Sequence, residues 1–152
     1  MIEHVEVSRE IKASADEVWA AVSDVTRMGE WSPECHTCSW NDPDTPPGVG
    51  SIFTGENRNG EFEWATECEV TEWVPGRAFA FDGVFGDLRF AKWGYRIEPT
   101  DEGCVVTETW DEGRPPEVIE FTATISGVSE RAEHNRRGME ETLARLAAAL
   151  ET

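Results

Sequence analysis

The last third of the chain leaves the fewest options open. From about Glu117 to Leu150 the sequence reads as helix almost throughout. Val118, Phe121, Ile125, Val128, Ala132, Met139, Leu143, Leu146 and Leu150 recur there at helical spacing. At about 100° per residue these side chains fall within about 40° of one line on a helix surface. A stripe that long must lie on something apolar and extended. The segments before it supply that surface, because they read as seven strands ending at Arg114-Pro115-Pro116.

The strands are legible from their alternation. Val5, Val7 and Ile11 alternate with Glu6, Ser8 and Glu10 in the first. Ser14 then caps a short helix, Glu17 completes a capping box, and Val18, Trp19 and Val22 form the buried face. Asp24 to Pro33 is a second short helical turn, and residues 35–40 are the second strand. Asn41 to Gly50, with Pro43, Pro46, Pro47 and Gly48, must be a loop. Ser51 to Asn57 is a strand, and Asn59-Gly60 is a hairpin signal. In the fourth strand Trp64, Thr66, Cys68 and Val70 share one face, while Glu61, Glu63, Glu67 and Glu69 share the other. Phe79 and Phe81 face one way in the fifth strand, and Asp82 to Asp87 reads as a glycine-punctuated loop. Ala91, Trp93, Tyr95 and Ile97 align in the sixth; Cys104, Val106, Glu108 and Trp110 align in the seventh. A bend in the long helix is expected at Gly127, because glycine is a weak helix former.

Charge narrows the partners. With 13 basic and 31 acidic residues the net charge is −18. Such a chain is repelled by phosphate backbones and anionic headgroups, so nucleic acid is not an expected partner. Its apolar runs are too short for membrane insertion, and the charged first residues lack a signal-peptide core. A cytoplasmic location is therefore expected, with the four cysteines as reduced thiols. Cys35-His36-Thr37-Cys38 has no second cysteine pair at zinc-finger spacing. On a regular strand, residues three apart point to opposite faces. Cys35 and Cys38 are therefore expected to be structural, not co-ligands of one ion.

The element order and several local motifs resemble the START-like superfamily, the helix-grip group that includes polyketide cyclase/dehydrase-like and lipid-transport proteins. The motifs are Ala15-Asp16-Glu17-Val18-Trp19, Trp31-Ser32-Pro33, Trp93-x-Tyr95 with Glu98-Pro99, and Asn135-x-x-Gly138-Met139-x-x-Thr142-Leu143-x-x-Leu146. The resemblance implies one α+β domain over residues 1–152. Its curved seven-stranded antiparallel sheet would wrap around a long C-terminal helix, with two short helices between strands 1 and 2. It also implies an internal cavity. Superfamily members include aromatase/cyclases, lipid and sterol carriers, hormone receptors and co-chaperone domains, so function has to be argued from the site.

Aromatic side chains dominate the inferred concave face. Trp64, Phe79, Phe81, Trp93, Tyr95 and Trp110 lie there beside Thr66, and Phe121, Ile125 and Met139 approach from the helix. That lining suits an apolar, aromatic or polycyclic ligand. Bulky rings can equally fill a small barrel. Glu108 is expected to point inward between Val106 and Trp110. A carboxyl held among tryptophans has a raised pKa and is the candidate acid/base. Asn135 and Arg136 lie about 60° and 40° from the centre of the helical stripe, close enough to hold a ligand carbonyl or carboxylate. His134 falls on the opposite side and is expected to be exposed.

No nucleophilic serine motif, phosphate-binding glycine loop or set of metal ligands is present, so no metal or cofactor is expected. Hydrolase, kinase and dehydrogenase chemistries are set aside on the same ground. Three functions remain. The first is a carrier or binding protein for a hydrophobic small molecule. The second is a cyclase, aromatase or dehydratase using Glu108. The third is a protein-interaction domain, which predicts a filled core. The sequence leaves monomer and homodimer open.

Overall fold

The structure is a computed structural model and describes residues 3–151. Seven antiparallel strands form one sheet: β1 (His4–Ile11), β2 (Cys35–Trp40), β3 (Ile52–Asn59), β4 (Phe62–Val74), β5 (Ala78–Phe85), β6 (Leu88–Pro99) and β7 (Cys104–Glu112). Their order is β1-β7-β6-β5-β4-β3-β2. Neighbours from β2 to β7 are consecutive in sequence. β1 forms the edge beyond β7, pairing with it from His4 opposite Asp111 to Ile11 opposite Cys104. This is the α+β helix-grip arrangement expected from the sequence.

Two short helical elements follow β1. The helix α1 (Ala15–Ser23) starts at Ser14, whose Oγ accepts from the Glu17 amide at 3.1 Å and donates to the Glu17 carboxylate at 3.1 Å. A 3₁₀ turn (Val25–Glu30) is capped by Asp24, which accepts from the Thr26 amide. Register shifts at Cys35/Thr37, Val70/Glu72 and Gly83/Val84 interrupt the ladders. Bulges of this kind bend strands and increase their local twist.

The C-terminal helical region is not one helix. The helix α2 (Pro116–Ser126) ends at Gly127, which has φ 73° and donates its amide to the Ala123 carbonyl at 2.9 Å. A left-handed glycine of this kind stops a helix outright, where the sequence suggested a bend. The helix α3 (Arg131–Leu150) then crosses the concave face of the sheet. Leu143, Leu146 and Ala147 pack into a core containing Ile11, Val18, Val106 and Trp31. No helix among the described residues is long and apolar enough to cross a membrane.

A second correction concerns residues 82–87. β5 continues to Phe85 and β6 begins at Leu88, so the expected loop is a tight hairpin turning at Gly86-Asp87. Gly86 supplies the positive φ of 59° that such turns require. The proline-rich segment from Asn41 to Gly50 is a loop, as its composition requires.

Candidate functional site

The sheet, α2 and α3 enclose a cavity of about 460 Å³. Its wall is aromatic where β4, β5, β6 and β7 face inward: Trp64, Phe81, Trp93, Tyr95 and Trp110 all line it. The rings therefore do not fill the whole concave face. They fill the other end, where edge-on pairs such as Trp19–Trp73 at 4.9 Å and Trp73–Phe79 at 5.8 Å make a solid core. Phe79 belongs to that core and not to the cavity wall. It shares a face with Phe81, but it is fully buried and packs against Trp73 and Phe81.

Glu108 sits on the cavity wall as the alternation of β7 predicts, only 5% exposed. Tyr95 is its cross-strand partner. Burial pushes the Glu108 carboxyl up to about 8, although its interaction with the Tyr95 hydroxyl works in the opposite direction. The Tyr95 phenol is itself raised, first by burial and then by the neighbouring carboxylate. The Glu108 Oε1 atom has no hydrogen-bond partner. Near neutral pH the protonated acid can donate or accept one bond in an otherwise apolar space.

Thr66 and Met139 line the cavity, and Asn135 does so with its Nδ2 unpartnered while its Oδ1 accepts from Arg131 at 3.2 Å. Arg136 is exposed and lies away from the cavity, contrary to the sequence expectation. Arg131, His134, Asn135, Gly138, Met139 and Thr142 form the cavity face of α3. At 100° per residue these six centre roughly 70° to one side of Met139, and Arg136 lies about 60° to the other side. The cavity is thus off the axis of the core stripe.

The same offset brings His134 in, where exposure was expected. Its Nε2 lies 2.9 Å from Glu34, and Arg131 contacts the same carboxylate at 2.8 Å. Burial alone would raise Glu34, but its bonds to His134 and Arg131 outweigh burial and hold it low. The Arg131 guanidinium also lies over the Trp64 ring, 5.8 Å from its centroid. This polar trio flanks the cavity on its β2 side. Near the start of α2, Arg114 and Glu112 make an ion pair at 2.7 Å with both side chains 8% exposed. Arg114 also donates to the Thr122 hydroxyl at 2.7 Å, which ties α2 to the end of β7.

The mouth is apolar. Phe85 at the β5–β6 hairpin is 81% exposed, and Phe121 and Ile125 on α2 are 64% and 38% exposed, yet all three line the cavity. Ile125 and Phe121 therefore occupy the rim, not a buried floor.

The cysteine segment overturns one expectation. Cys35 and Cys38 are both buried, and their sulfurs are 3.0 Å apart in the cavity wall. In β2, Cys35 pairs with Asn57 and Thr37 with Glu56, leaving His36 as the extra residue of a bulge. That one-residue insertion turns what should be opposite faces into one. Among the described residues, no group of three or more His, Cys, Asp or Glu side chains is arranged to hold a metal ion.

Residues 3–151 match the family described as polyketide cyclase / dehydrase and lipid transport. A polyketide-cyclase-like protein of Corynebacterium glutamicum is 39% identical. The match covers 97% of this chain and 91% of that one, with a TM-score of 0.64. Two more distant structures share the fold. The di-domain ARO/CYC StfQ from the steffimycin biosynthetic pathway matches at 13% identity and TM-score 0.76, over 99% of this chain and 51% of that one. The Aha1 dimer from Colwellia psychrerythraea matches at 17% identity and TM-score 0.67, over 98% of this chain and 96% of that one. Among curated proteins there is no significant match.

Proposed function

Because the chain belongs to the polyketide cyclase / dehydrase and lipid transport family, we propose that it binds a hydrophobic small molecule, lipid-like or polyketide-like, in the cavity between the sheet and its C-terminal helices. The observation that carries this reading is the aromatic cavity of about 460 Å³ with its apolar rim. That volume falls within the range of small-molecule sites, which combine an apolar wall with a few placed polar groups. Trp64, Phe81, Trp93, Tyr95, Trp110, Phe121, Ile125 and Met139 supply apolar contact, and Thr66, Glu108 and Asn135 supply the polar atoms. The protein acts as a single cytoplasmic domain, monomeric or homodimeric, without nucleic acid as a partner.

Native mass spectrometry of freshly purified protein, paired with a denaturing spectrum, tests this. A co-purifying mass lost on denaturation is expected. Titration with Nile red provides the second arm. Trp93→Ala removes a wall ring and should weaken the dye by about tenfold or more, since a buried aromatic contact is worth a few kcal/mol. Unchanged affinity would remove the cavity as the binding site.

Glu108 favours a second reading, an enzyme of the cyclase, aromatase or dehydratase type. A carboxyl near pKa 8 holds its proton at neutral pH and can lend or take one as a reacting carbonyl enolises. Cyclisation of a reactive polyketone needs mainly positioning and modest acid/base help. Glu108→Gln should then cut turnover by roughly a hundredfold with little change in binding. Full turnover in that variant would return Glu108 to a binding role.

A further inference from the structure

Cys35 and Cys38 have no part in the ligand-binding reading, yet their placement is specific. The bulge at His36 brings both sulfurs to one face, in the cavity wall, 3.0 Å apart. A disulfide needs about 2.05 Å, so an approach of about 1 Å would close the bond. The space for the pair is left by Gly55, the cross-strand partner of Cys38. A Cβ at that position would stand 3.1 Å from the Cys35 sulfur and 3.2 Å from that of Cys38. The Met28 thioether lies 3.7 Å from the Cys38 sulfur and completes a soft, polarizable corner.

We propose that Cys35 and Cys38 form a dithiol redox site that reduces an organic hydroperoxide inside the cavity and closes to a disulfide. The apolar wall and mouth select the class of oxidant, because both sulfurs are reached through the cavity and not from the outer face of the sheet. In the first step the Cys35 thiolate attacks the terminal peroxide oxygen. The O–O bond breaks, the alkoxide takes up the proton that Cys35 released and leaves as the alcohol, and Cys35 becomes a sulfenic acid. In the second step the Cys38 sulfur attacks the Cys35 sulfur and the S–O bond breaks. Hydroxide leaves with the Cys38 proton as water. Two thiols and one hydroperoxide thus give one disulfide, one alcohol and one water. A low-molecular-weight thiol reopens the bond by exchange.

The roles within the pair are unequal. The hydrogen bond from Cys38 holds the Cys35 thiol below its usual value despite burial, while Cys38 is driven far up by the same contact and by burial. Cys68 is pushed up to about 12, chiefly by burial, and Cys104 is also raised by burial. Cys35 is therefore the attacking group and Cys38 the resolving one.

The test treats the folded full chain with one equivalent of cumene hydroperoxide. All four cysteines begin as free thiols. Thiol titration should lose two of them, the intact mass should fall by two hydrogens, and digestion should place the bond between Cys35 and Cys38. Dithiothreitol should reverse all three changes. Cys38→Ala should stop the reaction at a Cys35 sulfenic acid that dimedone traps. Gly55→Ala keeps both thiols and should slow closure several-fold while leaving the trappable intermediate, because the added methyl crowds both sulfurs. Circular dichroism confirms that each variant is folded. Equal oxidation of all four thiols, a bond involving Cys68 or Cys104, or no dimedone adduct in folded Cys38→Ala would overturn the proposal.

Discussion

The second half of α3 and the whole of α2 cover the same sheet in different ways. Leu143, Leu146 and Ala147 of α3 are sealed against Ile11, Val18 and Val106. In α2, Ser126 is the one buried residue; Phe121 stands largely in solvent and Ile125 is partly exposed. One end of the concave face is therefore a close-packed core, where each methylene counts toward stability. The other end is a cavity whose cover is fastened by the buried Glu112–Arg114–Thr122 linkage and a few rim contacts. Close packing and the cavity lie at opposite ends of the same sheet, so changes at one end need not disturb the other.

The largest test of that division is Glu108→Gln, at the cavity end of β7. The unfolded chain releases the Glu108 proton near 4.5, while the folded protein holds it to about 8. Between those values the unfolded state binds fewer protons, so stability falls as pH rises, by on the order of 4 kcal/mol through this group. Chemical denaturation at pH 5 and pH 8 should show that slope in the parent and lose it in Glu108→Gln. Parallel profiles for the two proteins would mean that the carboxyl is solvated and the cavity end is wet.

Leu146→Ala addresses the closed end. Leu146 has no exposed surface, and its truncation should cost about 3 kcal/mol. The midpoint of urea unfolding should drop accordingly, while Nile red affinity stays unchanged. If affinity fell as well, the two ends would be mechanically coupled. The smallest stability effect is expected at the rim. Phe121→Ala should change stability by less than about 1 kcal/mol, because most of the ring is already in water. It should nonetheless alter the rate at which Nile red enters and leaves. An unchanged rate would move the mouth elsewhere.

Which face each strand turns inward was far more legible from sequence than where along that face packing gives way to the cavity. Strand alternation located Glu108, Trp93 and Trp110 correctly, because a period of two carries over directly to faces. The stripe on α3 located Met139, Leu143 and Leu146 for the same kind of reason. What failed was phase. Treating residues 117–150 as one helix with one buried line placed Arg136 inward and His134 outward. The cavity side of α3 is rotated from its core side, and nothing in a single stripe encodes two directions. The bulge at His36 was equally hidden, since an extra residue in one strand leaves no compositional mark. Its result, two sulfurs side by side, follows from a pairing choice with β3 that local sequence does not specify. Phe79 shows the remaining limit: period two gives a face, but not the position along it where packing ends and empty space begins.

The pairing of β1 with β7 has a consequence for synthesis. His4 meets Asp111 and Ile11 meets Cys104. The first strand made is therefore among the last to find its neighbour. While β2 to β6 can zip as successive hairpins behind the ribosome, Val5, Val7 and Ile11 wait with their amides and carbonyls unpaired until Glu112 has emerged. Loop closure over such a separation is slow compared with hairpin formation. During that interval the nascent chain carries an open apolar strand of the kind that chaperones cover and that aggregates recruit. The polar residues on the other face of that strand, Glu6, Ser8 and Glu10, keep it soluble until its partner arrives.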